Sequence, residues 1–210
     1  MQAHRLPSDV VIVRTGTANL ASVFACLRRC GATHRMAENA EDVRSATRVL
    51  MPGVGTFGAA MESLHQQGLI ESLRERITSE KATMAICLGL QLLFEASEES
   101  PGVRGLGVAP GVIERFSRAT GVRVPQLGWN DVEPVPGFAA FARGEAYFAN
   151  SYRAAGVPAG WTPAWTNYPG PFVAAMERAK GRVLACQFHP ELSGPWGQSL
   201  VAGWLARASA

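Results

Sequence analysis

The sequence predicts an α/β fold: a mostly parallel sheet with helices on both faces and an antiparallel, β-rich edge. Three observations predict it. Short strand-like runs at residues 10–13, 48–51 and 83–86 each end abruptly and give way to helical periodicity, the alternation that builds parallel sheets. From Gly105 to Ala185 the texture changes to short β-rich pieces separated by Pro and Gly, which favours antiparallel pairing at one edge. With 210 residues, 47% of them hydrophobic and 18% charged, the chain can fill one sizeable core and is short for two.

In chain order, residues 1–9 are polar, contain Pro7 and read as a loose N-terminal extension to a single domain spanning 1–210. Residues 10–13 form a buried strand that stops at Thr15-Gly16. Leu20, Val23, Phe24 and Leu27 follow at helical spacing, with Asn19 where an N-cap belongs and Gly31 as the stop. Residues 48–51 make the next central strand, which breaks at Pro52-Gly53. A helical stretch begins near Phe57, is punctuated by Gly68 and runs on towards Glu80. Residues 83–86 make a third central strand, and residues 88–96 continue as a helix. Further strand-like pieces lie at 111–116, 146–152 and 183–188. Trp196, Leu200, Val201, Trp204 and Leu205 then share one face of a closing helix.

Composition excludes several classes of function. The net charge is only +3, and the basic residues are scattered, with Arg28-Arg29 the one adjacent pair, so no nucleic-acid footprint is visible. The N-terminus lacks the apolar core of a signal peptide. The longest apolar run, residues 84–94, is too short to span a bilayer and is broken by Gly89 and Gln91. A cytoplasmic protein that binds neither nucleic acid nor membrane is expected. Of the four cysteines, Cys26 and Cys30 lie four apart on a helix but have no complementary Cys or His pair for a structural metal. They read as small apolar residues, as does Cys186 inside a strand. No metal and no cofactor are expected, and no disulfide in a reducing compartment.

Cys87 differs. Thr83-Met84-Ala85-Ile86-Cys87-Leu88-Gly89-Leu90-Gln91 passes from apolar strand to helix with the cysteine at the junction. Small residues two before and two after it, Ala85 and Gly89, suit the sharp turn of a nucleophile elbow. The sulfur would then sit at a helix N-terminus, where free amides favour a thiolate. A buried cysteine at an ordinary strand-to-helix turn is the alternative on this segment alone. A thiol that attacks an amide needs a base able to protonate the leaving nitrogen. Of the four histidines only His189 follows an apolar strand, and Glu191 two residues on can steady its imidazole. The loop Pro52-Gly53-Val54-Gly55-Thr56-Phe57 closes a neighbouring strand, where glycines let peptide N–H groups face a developing oxyanion. Val54 N–H and Leu88 N–H form the expected pair. Residues 53–58 also spell the G-x-G-x-x-G of dinucleotide sites, but the next strand ends at Cys87 and not at the acidic residue such a site requires.

The loop at 52–57, the elbow at 87–91 and His189-Pro190-Glu191 together resemble the three signatures of the class I (triad) glutamine amidotransferases. More narrowly, the chain resembles the branch of that family that serves as the glutaminase subunit of imidazole glycerol phosphate synthase in histidine biosynthesis. Thr15-Gly16-Thr17-Ala18-Asn19-Leu20, Ser97-Glu98-Glu99, Gly105-Leu106-Gly107, Gln126-Leu127-Gly128-Trp129-Asn130 and Tyr147-Phe148-Ala149-Asn150-Ser151-Tyr152 carry the narrower likeness. It extends over the chain beyond the first few residues. The resemblance implies a flavodoxin-like fold, a Cys87–His189–Glu191 triad and a γ-glutamyl thioester on Cys87. It implies that Gly53, Gln91, Ser151 and Tyr152 hold glutamine, and that Asn19, Trp129 and Asn130 face a (β/α)8-barrel cyclase subunit in a heterodimer. It further implies that ammonia crosses that interface, and that the Val54 peptide turns its N–H inward once the partner is loaded.

Several residues depart from the family pattern. Ala85 stands where the elbow usually has Gly, and Leu192 replaces a common Lys. Gln126 and Asn150 replace common histidines but can still hydrogen-bond. Arg14 stands where Asp is frequent. Three other readings share the motifs: the glutaminase subunit of a different synthase, a stand-alone cysteine amidase or peptidase on the same fold, and a binding module without catalysis.

Overall fold

Val10, Val11, Ile12 and Val13 are all buried, and alternation sends their side chains to opposite faces of a sheet. The computed structural model describes residues 8–16, 20–117 and 121–207. Its first half comprises β1 (Ser8–Ile12), α1 (Leu20–Arg29), β2 (Ala32–Met36), α2 (Ala40–Ser45), β3 (Arg48–Met51), α3 (Phe57–Gln66), α4 (Ile70–Thr78), β4 (Thr83–Ile86) and α5 (Leu88–Leu92). Then come β5 (Phe94–Ser97), β6 (Ala109–Arg115), β7 (Gln126–Pro134), β8 (Gly144–Asn150), β9 (Tyr152–Arg153), β10 (Thr162–Asn167), β11 (Pro171–Arg178), β12 (Val183–Cys186) and α6 (Gly194–Arg207).

Nine strands form one sheet in the order β2-β1-β3-β4-β12-β11-β10-β7-β8. The first five are parallel, and the remaining four join antiparallel from the β12 side, as the texture of the later sequence predicts. A small second sheet pairs β5 with β6 and β6 with β9. Val11 and Val13 pack on one face with Phe57, Leu64, Leu73 and Leu88. Val10 and Ile12 pack on the other with Val23, Leu27, Leu200 and Trp204. Helices therefore cover both faces, α3 to α5 on one and α1 and α6 on the other. Among the described residues no helix is long and apolar enough to cross a membrane.

Two buried arginines tie the layers together. Arg76, 1% exposed, donates to the carbonyls of Val43, Ala46, Thr47 and Ala82 and to Thr83 Oγ1. Its burial lowers the guanidinium to about 10, still cationic at neutral pH. Arg48 donates through Nε and Nη2 to the Leu205 carbonyl in the last turn of α6, where a cation meets the negative end of the helix dipole.

The structure corrects some boundaries. The helix expected over 88–96 ends at Leu92, and Phe94–Ser97 becomes β5, paired in parallel with β6. Short apolar runs do not distinguish a buried helix from a buried strand, and here the β6 partner decides. β2 and α2 are not apparent in the apolar pattern. β2 is an edge strand reading Ala-Thr-His-Arg-Met whose residues alternate between covered and open, and α2 is six mostly polar residues capped by Asn39.

Candidate active site

The carboxyl ends of three adjacent strands converge: β3 leads into the 52–56 loop, β4 into Cys87 and β12 into residues 187–189. At the middle strand Cys87 has φ 52° and ψ −108°, a left-handed conformation for a non-glycine residue. Holding it there costs about 1–3 kcal/mol, which the surrounding packing must offset. Gly89 makes the turn feasible, since a Cβ there would collide with the Met51 carbonyl oxygen. The Ala85 methyl takes no part in that collision: a Cβ at residue 89 would lie 3.5 Å from it, an ordinary contact. Gly53 plays the matching part from β3, where a Cβ would sit 2.5 Å from Leu88 Cβ and 2.7 Å from Gly89 N. The Thr15 hydroxyl donates to the Pro52 carbonyl, fastening the same loop to the end of β1.

His189 is 5% exposed, and its Nδ1 lies 2.9 Å from Glu191 Oε1. Pro190 opens the short turn Pro190–Leu192 that returns Glu191 to the ring. That turn is pinned: His189 N–H donates to the Tyr147 carbonyl, and Ser193 Oγ donates to the His189 carbonyl at 2.6 Å. Gly197 lets α6 rest on the Pro190 carbonyl, against which any side chain would collide. The other ring nitrogen is then left for Cys87, which lines the same small cavity. Burial alone would lower the imidazole's affinity for a proton. The interactions with Cys87 and Glu191 outweigh it, and His189 is pushed up to about 10. The imidazole thus stays protonated beside the sulfur through the neutral range.

A cavity of about 190 Å³ opens onto these groups. Val54 and Leu88 line it, as do Gln91, Ser151 and Tyr152. Gly53 does not; it packs behind Leu88. Among the described residues the N–H groups of Val54 and Leu88 have no protein partner. Trp129 stands 56% exposed on β7 with its ring edge-on to Tyr147 at 6.3 Å. Asn130 is engaged locally: its Nδ2 donates to the Asn167 carbonyl and its Oδ1 accepts from Asp131 N–H. Asn19 lies outside the described residues.

Glu99 and Asn150 also line the cavity, and sequence reasoning gave neither a role there. Glu99 Oε2 caps α3 by accepting the Phe57 N–H at 2.7 Å, which sets a carboxylate at the cavity wall. A Glu in a loop twelve residues past the elbow carries no signal of that placement. Gln126 and Asn150 are paired residues of β7 and β8, both buried. Asn150 Nδ2 donates to the Tyr152 carbonyl at 2.9 Å, but Gln126 Oε1 and Asn150 Oδ1 lack partners among the described residues. The expected hydrogen bonding is therefore only partly realised. Arg14 contributes its carbonyl, which accepts from Gln67 Nε2, and nothing explains its side chain.

A cysteine on a strained strand-to-helix turn, a carboxylate-steadied histidine and idle peptide donors over a small cavity define a class of cysteine amidohydrolases that works through an acyl-enzyme. The chain belongs to the glutamine amidotransferase class-I family, whose model matches residues 11–207. It is 40% identical over 202 residues to "Imidazole glycerol phosphate synthase subunit HisH" of Xanthomonas axonopodis pv. citri, covering 94% of this chain and 97% of that protein. To the protein of the same name from Thermus thermophilus it is 38% identical, covering 96% of it. It is 37% identical to "Imidazole glycerol phosphate synthase hisHF, chloroplastic" of Arabidopsis thaliana, but spans only 34% of that longer protein. Among solved structures, a "Crystal structure of glutamine amidotransferase" superposes with a TM-score of 0.74 at 21% identity, covering 95% of this chain and 99% of that one. That likeness concerns the fold.

Proposed function

We propose that the protein is the glutaminase subunit of imidazole glycerol phosphate synthase, releasing ammonia from glutamine and handing it to a cyclase partner in histidine biosynthesis. The observation that carries the reading is the convergence of Cys87 and the Glu191-bonded His189 on one cavity at one sheet edge. The relatives named HisH, matched over nearly their whole length, support the particular pathway.

The chemistry follows from the geometry. Glutamine enters with its α-ammonium toward Glu99 and its side chain between Gln91 and the Ser151-Tyr152 segment, while Gly53 keeps the loop close upon the elbow. Cys87 Sγ bonds to the carboxamide carbon, and the carbonyl electron pair moves to the oxygen, which Val54 N–H and Leu88 N–H receive. The oxyanion collapses, the C–N bond breaks, and His189 gives its proton to the departing nitrogen, so ammonia leaves. Water then loses a proton to His189 and adds to the thioester. The C–S bond breaks, glutamate departs and Cys87 and His189 return to their first state. Ammonia is mostly protonated near neutral pH and would be lost to solvent, so the cavity needs a partner that seals it.

That partner is a (β/α)8-barrel subunit docked over Trp129, Asn130 and Asn19, in the cytoplasm. The exposure of Trp129 supports this face. The unbroken nine-stranded sheet supports reading residues 1–210 as one glutamine amidotransferase domain. A cavity of about 190 Å³ favours a single amino acid over a peptide as substrate. The test is Cys87→Ala in the complex. Glutamine-dependent synthesis should vanish while synthesis from added ammonium persists; glutamine turnover that survives the substitution refutes the reading.

A further inference from the structure

Gln187 has no part in the reaction as written, yet it is wholly buried and its Nε2 lies 3.6 Å from Cys87 Sγ. Register builds the contact. β4 and β12 pair in parallel with Ile86 opposite Cys186, and the ladder continues where Cys87 N–H donates to the Cys186 carbonyl at 2.7 Å. Side chains at matched positions on adjacent strands share a face. The ladder that brings His189 to the sulfur therefore brings Gln187 as well, two residues earlier.

Which end of the amide meets the sulfur decides what the contact does. A primary amide offers an acceptor oxygen or a donor NH2, and only its other partners assign it. Here the assignment comes from a group with no choice. The Tyr152 carbonyl can only accept, and Gln91 Nε2 donates to it at 3.3 Å. The same Gln91 Nε2 donates to Gln187 Oε1 at 3.1 Å. Turning Gln187 over would set NH2 against NH2. Turning Gln91 to relieve that would set its oxygen against the Tyr152 carbonyl. One orientation survives, with the Gln187 NH2 aimed at sulfur.

We propose that Gln187 is a positioning residue for the nucleophile, its amide donating to Cys87 Sγ in an orientation dictated through Gln91 by the Tyr152 carbonyl. A hydrogen bond to sulfur is strongest when the sulfur is negative, so this one favours the attacking form and fixes its direction. It also joins the segment that receives substrate to the atom that attacks it. That last point rests on the glutaminase reading; the contact itself does not.

Two variants of similar size test it. Gln187→Met removes the donor. Gln187→Glu can still accept from Gln91 but turns an oxygen toward the sulfur. The readout is the rate at which iodoacetamide alkylates Cys87 in the full chain across pH, with Cys87→Ala correcting for the other thiols. Both variants should react about tenfold more slowly near neutral pH, the effect of losing one charge-assisted hydrogen bond. Their pH profiles should move to higher pH, and in the complex kcat for glutamine should fall while KM holds. An unmoved profile overturns the proposal. So does loss of ammonium-dependent synthesis in both variants, which would make Gln187 a core residue only. If the wild type hydrolyses no glutamine while the alkylation shift is seen, the glutaminase reading fails and the assignment of Gln187 stands.

Discussion

Glu191 is tied to His189, since its Oε1 meets Nδ1 and its Oε2 has no hydrogen-bond partner among the described residues. Its removal should therefore disturb the base without reshaping the cavity. Glu191→Gln is expected to lower kcat for glutamine by about 10²–10⁴, the range of a mispositioned general base, with a smaller change in KM. The same pair carries a pH signature. His189 rises from its ordinary 6.5 to about 10 on folding, so its stabilisation is fully present below pH 6.5 and is lost as pH climbs through about 10. The gap in Tm between wild type and Glu191→Gln should be widest in the acid-to-neutral range and close towards pH 10. A gap that widens with alkali would contradict the protonated state assigned to the ring. Cys87, His189 and Glu191 were all legible in the sequence because nucleophile, base and carboxylate have few substitutes. Gln187, Glu99 and Asn150 were not, because an amide or a loop carboxylate gains meaning only from what register sets beside it.

The strands that carry the site were equally plain. Residues 10–13, 49–51 and 84–86 at the central strands are buried on both faces, so they read as short apolar runs with a sharp end. β2 escaped because an edge strand needs apolar residues only on its covered side, and β5 because a five-residue helix and a four-residue strand fuse into one apolar stretch. Arg76 on α4 shows how much one buried cation can organise. Its guanidinium donates to carbonyls from the end of α2 and from the approaches to β3 and β4, joining three segments through one side chain. Arg76→Met keeps the bulk and removes every donor. It should cost about 3 kcal/mol or more in urea unfolding, well above the penalty for a surface arginine. A loss below about 1 kcal/mol would mean the carbonyls find other partners.

Taken whole, the molecule carries its reactive residues at the carboxyl ends of parallel strands and an exposed aromatic side chain on β7 in the antiparallel half of the sheet. Trp129 is more than half exposed, an unusual position for a large aromatic residue unless another surface covers it. Trp129→Ala should leave the fold of the isolated chain intact and weaken binding of the cyclase subunit by about 2 kcal/mol, or some 30-fold in Kd, measured by calorimetry. Unchanged affinity would move the docking face elsewhere. The order of the sheet has one more effect. Nucleophile and base stand at the ends of β4 and β12, which are hydrogen-bonded neighbours. Their strands are thus locked at an interstrand spacing of about 4.8 Å, with His189 two residues beyond the position facing Cys87, a register that heat or a docking protein can tilt but hardly stretch. The attacking pair is ruled by a grid, whereas the peptide after Gly53 hangs beyond the last rung of β3. The gating expected of the Val54 peptide would act there, by aiming a single amide, and not by prising the pair apart.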